Sequence, residues 1–282
     1  MKRVLPVLVS CIAILFLWSC KAVPATTPTT TVPTVPTSAP TKTIYIPVSE
    51  YWTFVDGSTS TVNYVYDENN RLLEIQRGQD HEGNDIVCTV TCDEHGWVLK
   101  IDHAGLALFQ DAEYTYDEYG RVKTYELTNT NNSFLEYTYD SEGRLIKVER
   151  PLYNGSDYMG TSVSEYIYSD GLLTQQVEYD RLGNKLHWVV FEYDNQGRLI
   201  KQTQNSEGCV PAVIHYCYSE DGLTCTKTYD DSTEVTVYDA NGNLIRLEYF
   251  SSVISHKCEY TYKAIEVPAD SQWIPYVDHA MH

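Results

Sequence analysis

A nine-residue phrase recurs along this chain, and its spacing constrains the fold more tightly than any other feature. It is clearest at Tyr137-Thr-Tyr139-Asp140-Ser-Glu-Gly143-Arg144-Leu145 and at Phe191-Glu-Tyr193-Asp194-Asn-Gln-Gly197-Arg198-Leu199. With the second aromatic as marker, the series runs Tyr66, Cys92, Tyr116, Tyr139, Tyr168, Tyr193, Tyr218, Tyr238 and Tyr262, in steps of 20 to 29 residues. Such spacing denotes an array of similar structural units.

Each unit reads as a β-hairpin. Aromatics at a period of two share one face of a strand, and Asp-x-x-Gly then supplies a turn whose Gly takes a left-handed conformation. If Asp140 flanks Arg144 across the loop, Tyr139 lies opposite Leu145, and Thr138 lies opposite Ile146 on the other face. The same count pairs Tyr116 with Val122, Tyr193 with Leu199 and Tyr238 with Leu244. Arg121, Arg144 and Arg198 become cross-strand partners of the turn aspartates. Asn70 stands where Gly is expected and tolerates the same backbone angle. Ser169-Asp170-Gly171 is a residue short and predicts a tighter turn. Asp80-His-Glu-Gly83, Asp180-Arg-Leu-Gly183 and the variant Asn205-Ser-Glu-Gly208 mark turns between the copies, so each unit holds two strands.

The phrase Tyr-x-Tyr-Asp-x-x-Gly-Arg-Leu resembles the YD repeat of the Rhs family, with weaker echoes over about residues 63 to 265. The resemblance implies a long antiparallel sheet built hairpin by hairpin, which in large family members coils into a hollow shell. Those members also carry a self-cleaving core and a C-terminal toxin, which nothing in this sequence matches. The repeats bring no catalytic residue with them. About eighteen strands at ~4.8 Å would make a flat sheet near 85 Å wide, too exposed on both faces for its Tyr, Leu and Val. The expected fold is therefore all-β: an antiparallel meander curled into an open shell or partial barrel with the Tyr139–Leu145 face inside. Full closure and a split into two packed sheets are the alternatives.

Met1-Lys2-Arg3, the apolar run from Val4 to Leu17 and Leu17-Trp-Ser-Cys20 form an export signal whose end resembles a bacterial lipobox. Cys20 is then the lipidated N-terminus; an ordinary cleaved signal and an uncleaved anchor are the alternatives. Residues 21–42, rich in Thr and Pro, read as an extended spacer or a disordered linker. The repeat domain spans 43–265, and 266–282, broken by Pro268 and Pro275, reads as a cap or tail. The expected location is the bacterial cell surface.

The net charge of −19, or −21 once Lys2 and Arg3 leave, argues against nucleic acid, because basic residues are scattered among acids. Among the eight cysteines, Cys217 and Cys225 fall opposite each other by the hairpin count, either as a disulfide or as two thiols packed in the sheet. No nucleophile elbow, zinc-binding helix or phosphate loop occurs. No cofactor or metal is expected, although Asp278, His279 and His282 could collect an ion. The expected function is non-enzymatic binding or scaffolding toward a glycan, the cell wall or another protein. Tyr114, Tyr116, Tyr137, Tyr139, Phe191 and Tyr193 are the candidate ligand face. A carboxylate pair on the concave face acting on a polysaccharide is the alternative.

Overall fold

The computed structural model describes residues 41–79, 83–103, 111–128, 134–154 and 157–268. Cys20, most of the spacer and the tail from 269 onward lie outside them. The described residues form eighteen antiparallel strands: β1 (Thr41–Phe54), β2 (Thr59–Tyr66), β3 (Leu72–Gln79), β4 (Asp85–Cys92), β5 (Val98–Asp102), β6 (Ala112–Tyr116), β7 (Val122–Leu127), β8 (Phe134–Tyr139), β9 (Leu145–Asn154), β10 (Asp157–Ser169), β11 (Leu172–Tyr179), β12 (Lys185–Tyr193), β13 (Leu199–Ser206), β14 (Ala212–Tyr218), β15 (Thr224–Tyr229), β16 (Ser232–Tyr238), β17 (Leu244–Phe250) and β18 (Ser255–Pro268). Each pairs with the next, and β1 pairs with both β2 and β18.

The sheet is thus a closed barrel, which corrects the open shell or partial barrel expected from the repeats. The residues responsible precede the first recognisable copy: Thr41 to Phe54 form a long strand that satisfies both edges of the meander. Closure removes the unpaired N–H and C=O groups that an edge strand exposes.

The predicted hairpin register holds at the turn, with Tyr139 opposite Leu145, Tyr116 opposite Val122, Tyr193 opposite Leu199 and Tyr238 opposite Leu244. One step further it slips. Thr138 faces Lys147 rather than Ile146, because a β-bulge follows the turn. The same extra residue occurs at Leu73, Leu99, Ile200 and Ile245, each flanked by a register shift. It points these four outward, where they are 37% to 43% exposed. The Cys217–Cys225 pairing is absent for a different reason: the turn after Tyr218 is one residue longer, with the Ser219 amide donating to the Thr224 carbonyl, so Cys225 lies opposite Tyr218 and Cys217 opposite Thr226. Both thiols are free, with Cys217 on the exposed side.

Inward residues of β1 to β6, with Leu247 and Cys258, make one continuous apolar cluster around Ile75 and Cys88. A smaller cluster joins Val189, Phe191 and Leu199. Along β14 to β16 the inner residues Tyr216, Lys227, Glu234 and Thr236 are only half-buried, as expected where a barrel this wide exceeds the reach of its own side chains. Glu113, Glu126, Glu136, Glu165, Glu192 and Glu259 stand exposed on the outer wall.

Candidate binding surfaces

The Asp-x-x-Gly turns that follow the marker positions stack on one rim, and their aspartates share one pattern of amide bonds, joined in four of them by an arginine. Asp140 Oδ1 accepts the amides of Glu142 and Arg144, both at 2.9 Å, while Oδ2 accepts Arg144 Nε at 2.7 Å. Asp67, Asp117 and Asp194 hold Arg71, Arg121 and Arg198 in the same way. The fixed guanidinium then covers the marker tyrosine of the following unit: Arg121 lies 4.6 Å from the Tyr139 ring centre, Arg144 4.9 Å from Tyr168, and Arg198 4.9 Å from Tyr218. Such cation–π contacts favour Arg, whose plane stacks on the ring.

The hydroxyls of seven marker tyrosines reach back across the gap between units. Tyr116 donates to the Val98 carbonyl at 2.7 Å, Tyr139 to Val122 at 2.8 Å, Tyr168 to Leu145 at 2.9 Å and Tyr193 to Leu173 at 2.7 Å. At the seam, Tyr66 donates to the Pro47 carbonyl at 2.7 Å beneath Lys263, and Tyr262 to Leu244 at 3.0 Å. The ring of tyrosines therefore closes as the backbone does. Burial pushes the Tyr139 phenol up to about 12.

The candidate ligand face lies on the inner wall. Tyr116, Tyr139 and Tyr193 spend their hydroxyls on neighbouring strands, Tyr114 packs 5.1 Å from Tyr125, and Phe191 is buried in the smaller cluster. Tyr137 is half-buried, with its phenol held above the ordinary range first by burial and then by nearby phenols. Among inner-wall carboxylates, Glu50 accepts Trp52 Nε1 at 3.0 Å and the Tyr64 hydroxyl at 2.5 Å, and Glu234 lies 3.5 Å from Lys227. The two sit on β1 and β16, which are not neighbours.

No family model matches the chain, and neither does any curated protein. Solved structures do. The Tc holotoxin pore of Photorhabdus luminescens matches 71% of this chain at 16% identity and a TM-score of 0.39, and the match spans 12% of the toxin chain. A TcdB2–TccC3 crystal structure matches the same share at 14% identity and 0.38, spanning 13% of its chain. A porin-like protein from Bacteroides uniformis matches 77% of this chain and 98% of its own at 11% identity and 0.41.

The opposite rim carries a surface that the repeat analysis missed. The β1–β2 loop exposes Phe54 and Val55, and the β17–β18 loop exposes Phe250, Val253 and Ile254; Val55 and Val253 are 74% and 81% exposed. Phe54 pairs with His256, joining the two loops. Ser252 Oγ donates to Asp231 Oδ2 at 2.5 Å, which joins the β15–β16 loop with its Tyr229. Beneath them, His256 stacks on Tyr249 at 5.2 Å and lies 5.5 Å from Trp52. Asp56, Asp230 and Asp231 border the patch and are exposed. The available signal was Val55, Val253 and Ile254 standing in hairpin loops, where polar residues are usual.

His187 Nδ1 lies 2.6 Å from Ser206 Oγ, and His103 Nδ1 lies 3.8 Å from Asp111. Among the described residues no three metal-ligating side chains converge. Asp278, His279 and His282 lie outside them.

Proposed function

We propose that the chain is a YD-repeat lipoprotein, held at the cell surface through Cys20, whose barrel is a non-enzymatic scaffold presenting its far rim to a protein partner. The observation that carries this reading is polarity of the barrel. Thr41 and Pro268 pair at the ends of β1 and β18, so the chain enters and leaves on the tyrosine rim, while the apolar patch of Phe54, Val55, Phe250, Val253 and Ile254 lies on the opposite one. A tether on the first rim turns the second outward.

The wall supports a barrel standing in water. Apart from the bulge residues Leu73, Leu99, Ile200 and Ile245 beside the turns, its outer positions are mainly charged or polar, as in the Glu192–Lys201 pair at 2.7 Å and the Thr115–Thr124 hydroxyl contact at 2.6 Å, whereas a membrane-spanning barrel needs a broad apolar outer band. Contiguous exposed apolar groups rimmed by polar ones are the usual mark of a protein contact.

The test is retention of the exported Cys20→Ser chain on purified cell envelopes, compared with a variant carrying Val55→Ser, Val253→Ser and Ile254→Ser. These side chains pack little in the barrel, so the variant should melt with the wild type. Loss of retention by the variant alone supports the reading, and equal retention of both rejects the far rim as the binding surface. Labelling with a lipid precursor should mark wild type and not Cys20→Ser.

A further inference from the structure

One place on the tyrosine rim lacks its ring. In the second unit Cys92 stands where the others have tyrosine. Its thiol donates to the Leu72 carbonyl at 3.4 Å, taking over the hydrogen bond but filling none of the volume of a phenol. The arginine that would cover that ring is present nonetheless: Arg71 is clamped through Nε by Asp67 Oδ2 at 2.7 Å, as Arg121, Arg144 and Arg198 are clamped by their own aspartates. Between the first and second turns a cleft of about 270 Å³ opens, lined by Asn69, Arg71, Glu94, His95 and Gly96. The cleft is open to solvent on one side.

Neighbouring units show how the slot is normally closed. Trp97, at the arginine position of the second turn, lies 5.3 Å from the Tyr116 ring and packs over Gly120. Arg121 Nη1 comes within 3.4 Å of the position a Cβ on Gly143 would occupy. The turns at Trp97 and Arg121 thus reach over the next turn's glycine and onto its tyrosine. Arg71 faces Gly96 across the cleft in the same relation.

We propose that this cleft receives a phenol ring from a tyrosine of a partner polypeptide, seated under Arg71 as Tyr139 is seated under Arg121. The guanidinium face supplies the stacking surface, the His95 ring, itself stacked 4.8 Å from Trp97, forms a flat wall, and Glu94 and Asn69 at the edge offer hydrogen-bond partners for the hydroxyl. A saturated ring of equal bulk gains none of the cation–π attraction. The site is independent of the far rim.

The experiment is an NMR titration of the exported Cys20→Ser chain with N-acetyl-tyrosinamide, following the Gly96 amide and the Arg71 Nε–H. Saturable shifts at both are expected. Cys92→Tyr, which supplies the missing ring from within, should weaken binding at least tenfold while melting at or above the wild-type temperature. Arg71→Gln should weaken it several-fold, and Arg144→Gln, over an occupied slot, should leave it unchanged. Absence of saturable shifts, undiminished binding by Cys92→Tyr or Arg71→Gln, or equal binding of the cyclohexylalanine analogue would each overturn the proposal.

Discussion

Gly120 and Gly197 occupy the same turn position with nearly the same backbone angle, φ +77° and +78°, but they differ in what a Cβ would meet. At Gly197 nothing lies within 4 Å, whereas at Gly120 the Trp97 ring carbon Cζ2 would be 2.5 Å away. Alanine at Gly197 therefore incurs only the left-handed backbone penalty, ~1–2 kcal/mol. Alanine at Gly120 incurs that penalty and also forces Trp97 off Tyr116, an overpacking cost of ~1–3 kcal/mol more. For a domain of this size each kcal/mol is worth about 2–4 °C, so Gly120→Ala should melt roughly 2–12 °C below Gly197→Ala in a thermal scan followed by near-ultraviolet circular dichroism. Trp97→Arg, which restores the arginine of the other turns, should remove much of the difference by giving Gly120 the looser cover that Gly143 has. Equal melting of the two alanine variants would refute the claim that Trp97 packs the Gly120 turn.

Tyr139→Phe leaves the Val122 carbonyl without its donor and should cost ~1–3 kcal/mol in urea denaturation, more than the same change at the exposed Tyr119. The Arg198 amide, opposed by slight desolvation and aided by the Arg198 side chain, holds Asp194 below its ordinary value, and the Ser219 hydroxyl does the same for Asp221. Groups depressed in the folded state stabilise above their unfolded pKa, so melting temperature should stay level between pH 7 and 5 and fall below about pH 4. The buried phenols act in the opposite sense: with Tyr139 and Tyr262 raised to about 12 by burial, their contribution is complete below pH ~10 and is lost as pH rises, so ultraviolet titration should show these phenolates appearing together with unfolding. In the exported Cys20→Ser chain, a thiol reagent should modify the exposed Cys209 and Cys217 quickly and spare the fully buried Cys88 and Cys258 until denaturant is added.

The hairpins, the turn glycines and the inward tyrosine face were legible because each depends on neighbours in sequence. As anticipated, Gly143 and Gly197 take φ +82° and +78° and Asn70 takes +61°, and the turn at Asp170 and Gly171 is a tight one, with both residues left-handed. The bulge was missed because strict alternation was assumed past the turn. Its signature was nevertheless present: the buried residues after each turn are three apart, Leu72 and Ile75, Val98 and Ile101, Leu199 and Gln202, where alternation requires two. Closure was not legible, since it rests on pairing Thr41 to Phe54 with a strand more than two hundred residues away, and the first of these lacks the repeat phrase. The missing ring at Cys92 was visible as a departure from the phrase. The cleft between the first two turns was not legible, because it depends on where the Arg71 and His95 side chains lie.

The seam between β1 and β18 also governs how such a protein can arise and change. An open stack of repeats can gain or lose a unit at either end, because every unit touches only its neighbours. A ring has no end. Adding one hairpin would widen the circumference and alter the tilt of every strand, so copy number is a property of the whole wall. During synthesis β1 emerges first and must wait for the last strand, with its two edges both satisfied only after nearly the entire chain has been made. A chain cut before Ser255 would strand β1 and β17 as open edges, with β1 also losing the thirteen residue pairs it makes with β18. The barrel should accordingly appear in a single late step, and prematurely terminated chains should be recovered as aggregates rather than as smaller barrels.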